Sequence, residues 1–177
     1  SLDAASLRGW SRAWEAFDVL VAGPGLGRAE GAREGVGYLL ALPGVRLVLD
    51  ADGLSALAAL KADGWRPAGD GRLVLTPHPG EAARLLGATA GEVQADRLGA
   101  VRRLADTYGA VVVLKGAGTL VCEPGGVPWL NLTGNPGLAS GGTGDVLAGM
   151  LGALWARGLA PARAAALAVW AHGTAAD

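Results

Sequence analysis

Between Asn135 and Met150 the chain reads NPGLASGGTGDVLAGM, with five glycines and one carboxylate, Asp145, where a loop turns into an apolar helical pattern. Glycine loses more backbone entropy on folding than any other residue, so five in one short span point to positive φ or to a close approach to something bulky. Backbone N–H groups gathered at a helix start form an anion site, and phosphate is its usual occupant. Gly142, Thr143 and Gly144 are the candidates for such a cradle. Asp145 next to it has a plain reading, in which a carboxylate satisfies free N–H groups and meets the positive end of the helix dipole.

Other polar and glycine-rich stretches invite the same kind of question. They are GPGLG (23–27), DADGL (50–54), TPHPGE (76–81) and KGAGT (115–119). GPGLG fails as a dinucleotide fingerprint, because neither Gly23 nor Gly25 begins a G-x-G-x-x-G; a close approach to ligand and a tight turn both remain open there. No G-x-x-x-x-G-K-[ST] occurs, which excludes a P-loop. His78 is fixed in an extended turn by Pro77 and Pro79, and reads either as a site residue or as a free surface histidine. Glu81 falls in the first turn of the next helix, where it either meets the dipole or binds magnesium through water. Asp50 and Asp52 bracket a helix start, and Asp52 reads as a cap rather than a ligand. Lys115 ends an apolar strand, where its charge needs a partner, either a nucleotide phosphate or a nearby carboxylate. Cys122 reads as a small buried hydrophobe, His172 as a packed or partly exposed helix histidine, and the six tryptophans as packing residues.

These residues must be carried by something. Four nearly continuous apolar runs, 18–23, 45–50, 71–76 and 110–116, have the character of strands buried on both faces of a parallel sheet. Helical patterns separate them at 29–42, 53–62, 79–87 and 92–108. The alternation predicts right-handed crossovers and an α/β fold, a doubly wound, mainly parallel sheet with helices on both faces. Beyond Lys115, TLVCE, the turn PGG and VPWLNL predict an antiparallel hairpin, followed by helices at 142–157 and 161–176. In such sheets ligands sit beyond the carboxyl ends of the strands, which is where the four polar stretches fall.

Composition narrows the possibilities further. The 177 residues suffice for one domain with a sizeable core and are too few for two ordinary ones. The Ser1 start and the helical pattern running to Asp177 read as a processed or excised piece. Formal charge is −1 without a basic run, so no nucleic-acid partner is expected. The longest strongly apolar stretch, 146–156, is too short for a membrane span, and a cytoplasmic protein with no membrane partner is expected. One cysteine excludes an internal disulfide and a zinc site built from cysteines alone.

Taken together and in order, GPGLG, LDADGL, LTPHPGEAARLLG, VVVLKGAGTLV and NPGLASGGTGDVLAGMLGAL closely resemble the ADP- or ATP-dependent NAD(P)H-hydrate dehydratases, a branch of the ribokinase-like superfamily. The likeness runs from about Asp18 to Asp177. It implies one ribokinase-like domain over 1–177 that lacks the family's N-terminal part, namely its opening strands and a further substrate-contacting loop. It also implies repair of hydrated NADH or NADPH: ADP or ATP, with Mg2+, phosphorylates the ring hydroxyl, and phosphate leaves as the double bond returns. By this likeness Gly25, His78 and Asp145 contact the damaged cofactor, while Lys115, Gly116, Ala117, Gly118, Thr119 and Gly144 line the adenine-nucleotide site. Asp145 then meets the reacting hydroxyl as general base, beside an anion cradle that stabilises the moving phosphoryl group. A homo-oligomer is the expected assembly, and an epimerase, fused or separate, the expected partner. Two other functions compete, a ribokinase-like small-molecule kinase and a non-catalytic nucleotide-binding module.

Overall fold

A computed structural model describes residues 4–9 and 16–177. Six strands lie side by side in chain order: β1 (Val19–Ala22), β2 (Arg46–Leu49), β3 (Leu73–Leu75), β4 (Val111–Leu114), β5 (Leu120–Cys122) and β6 (Trp129–Leu130). The first four pair in parallel, and β4, β5 and β6 form the antiparallel extension expected after Lys115.

Side chains alternate across the sheet. Leu47, Leu49, Leu73, Leu75, Val112 and Leu114 point to one face, and Val48, Val74, Val111, Val113 and Val121 to the other. The leucine side packs against α1 (Ala4–Gly9), α2 (Glu30–Ala41), α3 (Ala51–Ala62), α4 (Pro79–Leu86), α5 (Ala90–Ala95) and α6 (Arg97–Tyr108). The valine side is covered by α7 (Thr143–Ala156) and α8 (Pro161–Thr174), whose buried Ala148, Ala162, Ala164, Ala165 and Ala168 present little bulk to the strands. Helices therefore cover both faces, as the sequence predicts. Among the described residues the strand order does not reverse: each crossover adds its strand on the same side, and the crossover helices pack together on the leucine face.

The predicted helix over 92–108 is two helices. Thr89 and Glu92 form a capping box that starts α5, and Asp96, at φ −136° and ψ 71°, breaks the helical path. The Asp96 carboxylate then accepts the Gly99 N–H at 2.8 Å and caps α6. Two capping signals seven residues apart defeat one continuous periodicity. The stretch 64–71 is a connection without helix or strand, as expected, whereas Trp10 and Trp14 lie outside the described residues.

At the end of β1 the backbone turns so tightly against β2 that only glycine fits. Gly23 has φ +137°, and a Cβ there would lie 1.7 Å from the Asp50 carbonyl oxygen. The contact locks the first βα turn against the second and brings two of the polar stretches together.

Candidate active site

Asp50, Thr76 and Lys115 each follow the last residue of a parallel strand or stand one residue beyond its neighbour, so sheet geometry alone gathers them. Asp50 is 1% exposed. Its Oδ1 accepts the Thr76 hydroxyl at 2.8 Å and the Lys115 ammonium at 2.7 Å. Glu81 Oε2 stands 4.0 Å from the same ammonium. Of the two partners the sequence left open for Lys115, the structure places a carboxylate beside it. The start of α7 adjoins this pair: a Cβ on Gly144 would lie 3.4 Å from Lys115 Nζ and 3.6 Å from Asp50 Oδ2.

Asp50, not Asp52, is the N-cap residue of α3, and it makes no side-chain cap bond because its carboxylate is turned toward Lys115. Asp52, expected as the cap, instead accepts the Gly27 N–H at 3.0 Å and pairs with Arg28 at 3.5 Å, tying down the GPGLG loop. Ala51 between them takes φ +48°, the one non-glycine residue on the positive side among the described residues. Such a conformation costs of the order of 1–3 kcal/mol and persists where the surroundings impose it. Here it separates the directions of the two aspartates.

His78 is no free surface histidine. Its backbone is extended, at φ −78° and ψ 167°, as flanking prolines require, and it caps α4. Imidazole Nδ1 accepts the Gly80 and Glu81 N–H groups at 3.0 and 3.4 Å, while Glu81 Oε2 accepts the His78 N–H at 2.8 Å. An accepting Nδ1 assigns the ring proton to Nε2, which stands 3.5 Å from Glu81 Oε1. Glu81 is thereby held between a helix start, a histidine and a lysine. The described residues contain no cluster of three or more His, Cys, Asp or Glu able to cage a metal ion.

A cleft of about 840 Å³ opens beside these groups. Lys115–Thr119 line it together with Asn131–Pro136, Thr143, Gly144, His78 and His172. Gly25, Glu81, Gly142 and Asp145 stand outside this lining. Of the expected cradle, Gly142 begins α7 at φ +89°. The Thr143 N–H turns back to Ser140 O at 3.4 Å, and the Thr143 hydroxyl to Leu138 O and Ser140 O at 2.7 and 2.8 Å. Gly142 and Gly144 are thus the two members without such a return bond to the loop. Asp145 is exposed in the first turn of α7, whose N-cap residue is Gly142, so Asp145 is not the cap. Cys122 is buried as expected, and burial pushes its thiol pKa up.

Three features of the site were not legible in advance. These are the Asp50–Lys115 pair, the Asn131–Asn135 wall and Arg97, which reaches three carbonyls of the loop around Lys115. The sequence signals for the first were Lys115, a charge at the end of an apolar strand that needed a partner, and an acidic residue at the carboxyl end of another strand, but not that these two meet.

The sequence profile described as NAD(P)H-hydrate dehydratase matches residues 4–177. A bifunctional NAD(P)H-hydrate repair enzyme of Moorella thermoacetica is 49% identical over 161 residues, covering 90% of this chain and 30% of that protein. An ADP-dependent (S)-NAD(P)H-hydrate dehydratase of Neisseria meningitidis is 50% identical over 131 residues, covering 74% of this chain and 44% of that protein. The crystal structure of an ADP/ATP-dependent NAD(P)H-hydrate dehydratase from Bacillus subtilis, co-crystallized with ATP/Mg2+, superposes with a TM-score of 0.78 at 36% identity, over 93% of this chain and 58% of that one. An adenosine kinase of Anopheles gambiae, 14% identical with a TM-score of 0.62, shares the fold alone. The chain therefore spans less than two thirds of the length of these relatives.

Proposed function

The chain belongs to the NAD(P)H-hydrate dehydratase family, and from that premise we propose that it takes part in nucleotide-dependent dehydration of hydrated NADH or NADPH. The observation that carries the reading is the cleft in which the KGAGT loop, the Lys115 ammonium and the glycine-rich start of α7 converge at the carboxyl ends of the strands. A volume of about 840 Å³ suits an adenine nucleotide, since ligand pockets run to roughly 300–1,000 Å³.

In this reading Lys115, Gly116, Ala117, Gly118, Thr119 and Gly144 hold ADP or ATP, and His78 and Gly25 contact the hydrated ring. The Gly142 and Gly144 N–H groups face the phosphoryl group in transit, where fixed donors stabilise developing charge. Among the described residues Asp145 has no hydrogen-bond partner to compete for a substrate hydroxyl, and it takes that proton as the oxygen attacks the terminal phosphorus and the bond to the departing ADP or AMP breaks. The phosphorylated ring then loses phosphate and a proton, and the double bond is restored. Mg2+ bound with the nucleotide would supply neutralisation of phosphate charge, and Glu81 would hold it through water.

We extend the proposal to the surroundings of the reaction. Relatives described as bifunctional repair enzymes support an epimerase partner, fused or separate. A cytoplasmic homo-oligomer completes the reading. Among the described residues no helix is long and apolar enough to cross a membrane.

The test supplies hydrated NADH, Mg2+ and ADP or ATP, and follows the absorbance of regenerated NADH. Net phosphoryl transfer to a retained product would identify a small-molecule kinase instead, and nucleotide binding without turnover a binding module. In the same assay Asp145→Asn is expected to lower turnover by roughly 10²–10⁴ while nucleotide affinity stays within a few-fold. Retention of more than about a tenth of wild-type turnover is too much for a lost general base and would remove Asp145 from that role.

A further inference from the structure

Arg97 opens α6 on the side of the KGAGT loop, and the contacts of its guanidinium are concentrated on that loop. Nη2 donates to Gly118 O at 3.1 Å and Leu114 O at 3.2 Å, and both terminal nitrogens approach Lys115 O at 3.4 and 3.5 Å. Nη1 also donates to Gln94 Oε1 at 2.7 Å, which holds the fork from the other side. Among the described residues Arg97 has no carboxylate within ion-pair distance; its charge is directed at carbonyl oxygens. Gly116, at φ +133°, lets the fork come close, since a Cβ there would lie 3.1 Å from Nη1.

The consequence lies in the peptide planes. There is no cis peptide bond among the described residues, so a carbonyl directed at Arg97 sends the N–H of the same peptide the opposite way. With Lys115 O and Gly118 O turned to Arg97, the Gly116 and Thr119 N–H groups face away from it. The remaining peptide, whose carbonyl is Leu114 O, has its Lys115 N–H fixed on Pro77 O at 2.8 Å. The fork thus sets the orientation of the same segment that lines the cleft.

We propose that Arg97 is a positioning residue for nucleotide binding: its guanidinium pins the carbonyls of the loop 114–118 and thereby presents the loop's N–H groups, backed by a fixed positive charge, to the nucleotide. The proposal rests on the reading of this cleft as the nucleotide site. Arg97 itself touches no substrate in this scheme. Lysine in its place keeps the charge but offers a point ammonium, which cannot bridge carbonyls on separate residues as a planar fork does.

The test uses the whole chain and the variants Arg97→Lys and Arg97→Ala. Calorimetric titration with ADP and with ATP in Mg2+ is expected to show affinity lowered roughly tenfold or more in Arg97→Lys, the size expected when charge-assisted hydrogen bonds are lost. The KM for hydrated NADH should stay within about twofold, because the fork is directed at the nucleotide loop alone. Hydrogen exchange of residues 114–119 in the ligand-free protein should speed up in Arg97→Lys, and millimolar guanidinium, but not ammonium, should restore part of the nucleotide affinity of Arg97→Ala. Should Arg97→Ala fail to fold, Arg97→Lys carries the test. Wild-type binding of nucleotide with equal binding and unchanged loop exchange in Arg97→Lys would overturn the role of Arg97 alone, as would a parallel change in both KM values. Wild-type protein that binds neither ADP nor ATP would overturn the nucleotide reading itself, and the role of Arg97 with it.

Discussion

Replacing Asp50 with asparagine removes one charge and almost no volume from the base of the site, and its cost can be bounded from the geometry. The Lys115–Asp50 distance is 2.7 Å. Coulomb's law at that separation gives about 6 kcal/mol at an effective dielectric of 20 and about 1.5 kcal/mol in bulk water. The Asp50 side chain is 2% exposed, but Lys115 keeps 19% of its side chain in contact with solvent and has Glu81 at 4.0 Å. Asparagine still accepts from Thr76 and, more weakly, from Lys115. The expected loss is therefore about 2–3 kcal/mol, below the 3–5 typical when one partner of a fully buried pair is removed. Urea unfolding should show a lower midpoint at unchanged m, and thermal unfolding a Tm lower by about 4–12 °C. Two further measurements assign the effect to the pair. Lys115→Met combined with Asp50→Asn should cost less than the two single changes added together, by more than about 0.5 kcal/mol. Adenine nucleotide, by bringing an anion to the unpaired ammonium, should raise the Tm of Asp50→Asn more than that of wild type. A loss under about 0.5 kcal/mol with additive single changes would refute the reasoning, and would mean that solvent and Glu81 satisfy Lys115 without Asp50.

Gly23→Ala would place a methyl group 1.7 Å from the Asp50 carbonyl oxygen at φ +137°, and neither backbone can yield without parting β1 from the turn after β2. A loss above about 3 kcal/mol is expected by denaturant unfolding, against about 1 kcal/mol for Gly25→Ala, where φ is +71° but no atom lies within 4 Å; equal losses would show that the contact is not the cause. Burial pushes the Tyr108 phenol from 10.0 up to about 12. Above pH 10 the unfolded chain therefore releases a proton that the folded chain retains, and stability falls between pH 10 and 12 by up to about 2–3 kcal/mol. Tyr108→Phe should flatten that part of the stability curve relative to wild type, while giving up about 1 kcal/mol at neutral pH with the 2.9 Å bond to Leu85 O. Parallel curves for the two proteins would remove Tyr108 as the source.

β2, β3 and β4 were legible because a strand buried on both faces writes a local signature: LVL and VVVL have no polar residue to turn outward, and RLVL has only Arg46, at its first position, whereas β1, VLVA, is apolar but only half-buried, with Val21 exposed. The gathering of the polar stretches into one region was legible for a related reason, since chain direction in a parallel sheet assigns every strand's carboxyl end to the same side. What the sequence did not disclose is which polar residues meet. Asp50 and Lys115 are 65 positions apart, and their pairing depends on β2, β3 and β4 being neighbours in register. The exchange of roles between Asp50 and Asp52 depends on one dihedral, φ at Ala51, which no propensity of alanine suggests. Arg97 is less legible still, because its partners are main-chain carbonyls, and every residue has one.

The Asp50–Lys115 pair also explains how the cleft keeps a mostly buried cation. An ammonium has three N–H donors. Asp50 takes one of them at 2.7 Å, and Glu81 adds charge at 4.0 Å without hydrogen-bond contact. Lys115 is thus fixed beside Gly144 while retaining two N–H donors. Had the sequence supplied two close carboxylates to the same nitrogen, phosphate would have to displace one of them before binding. A single buried aspartate holds the cation in place and leaves the start of α7 open to an anion.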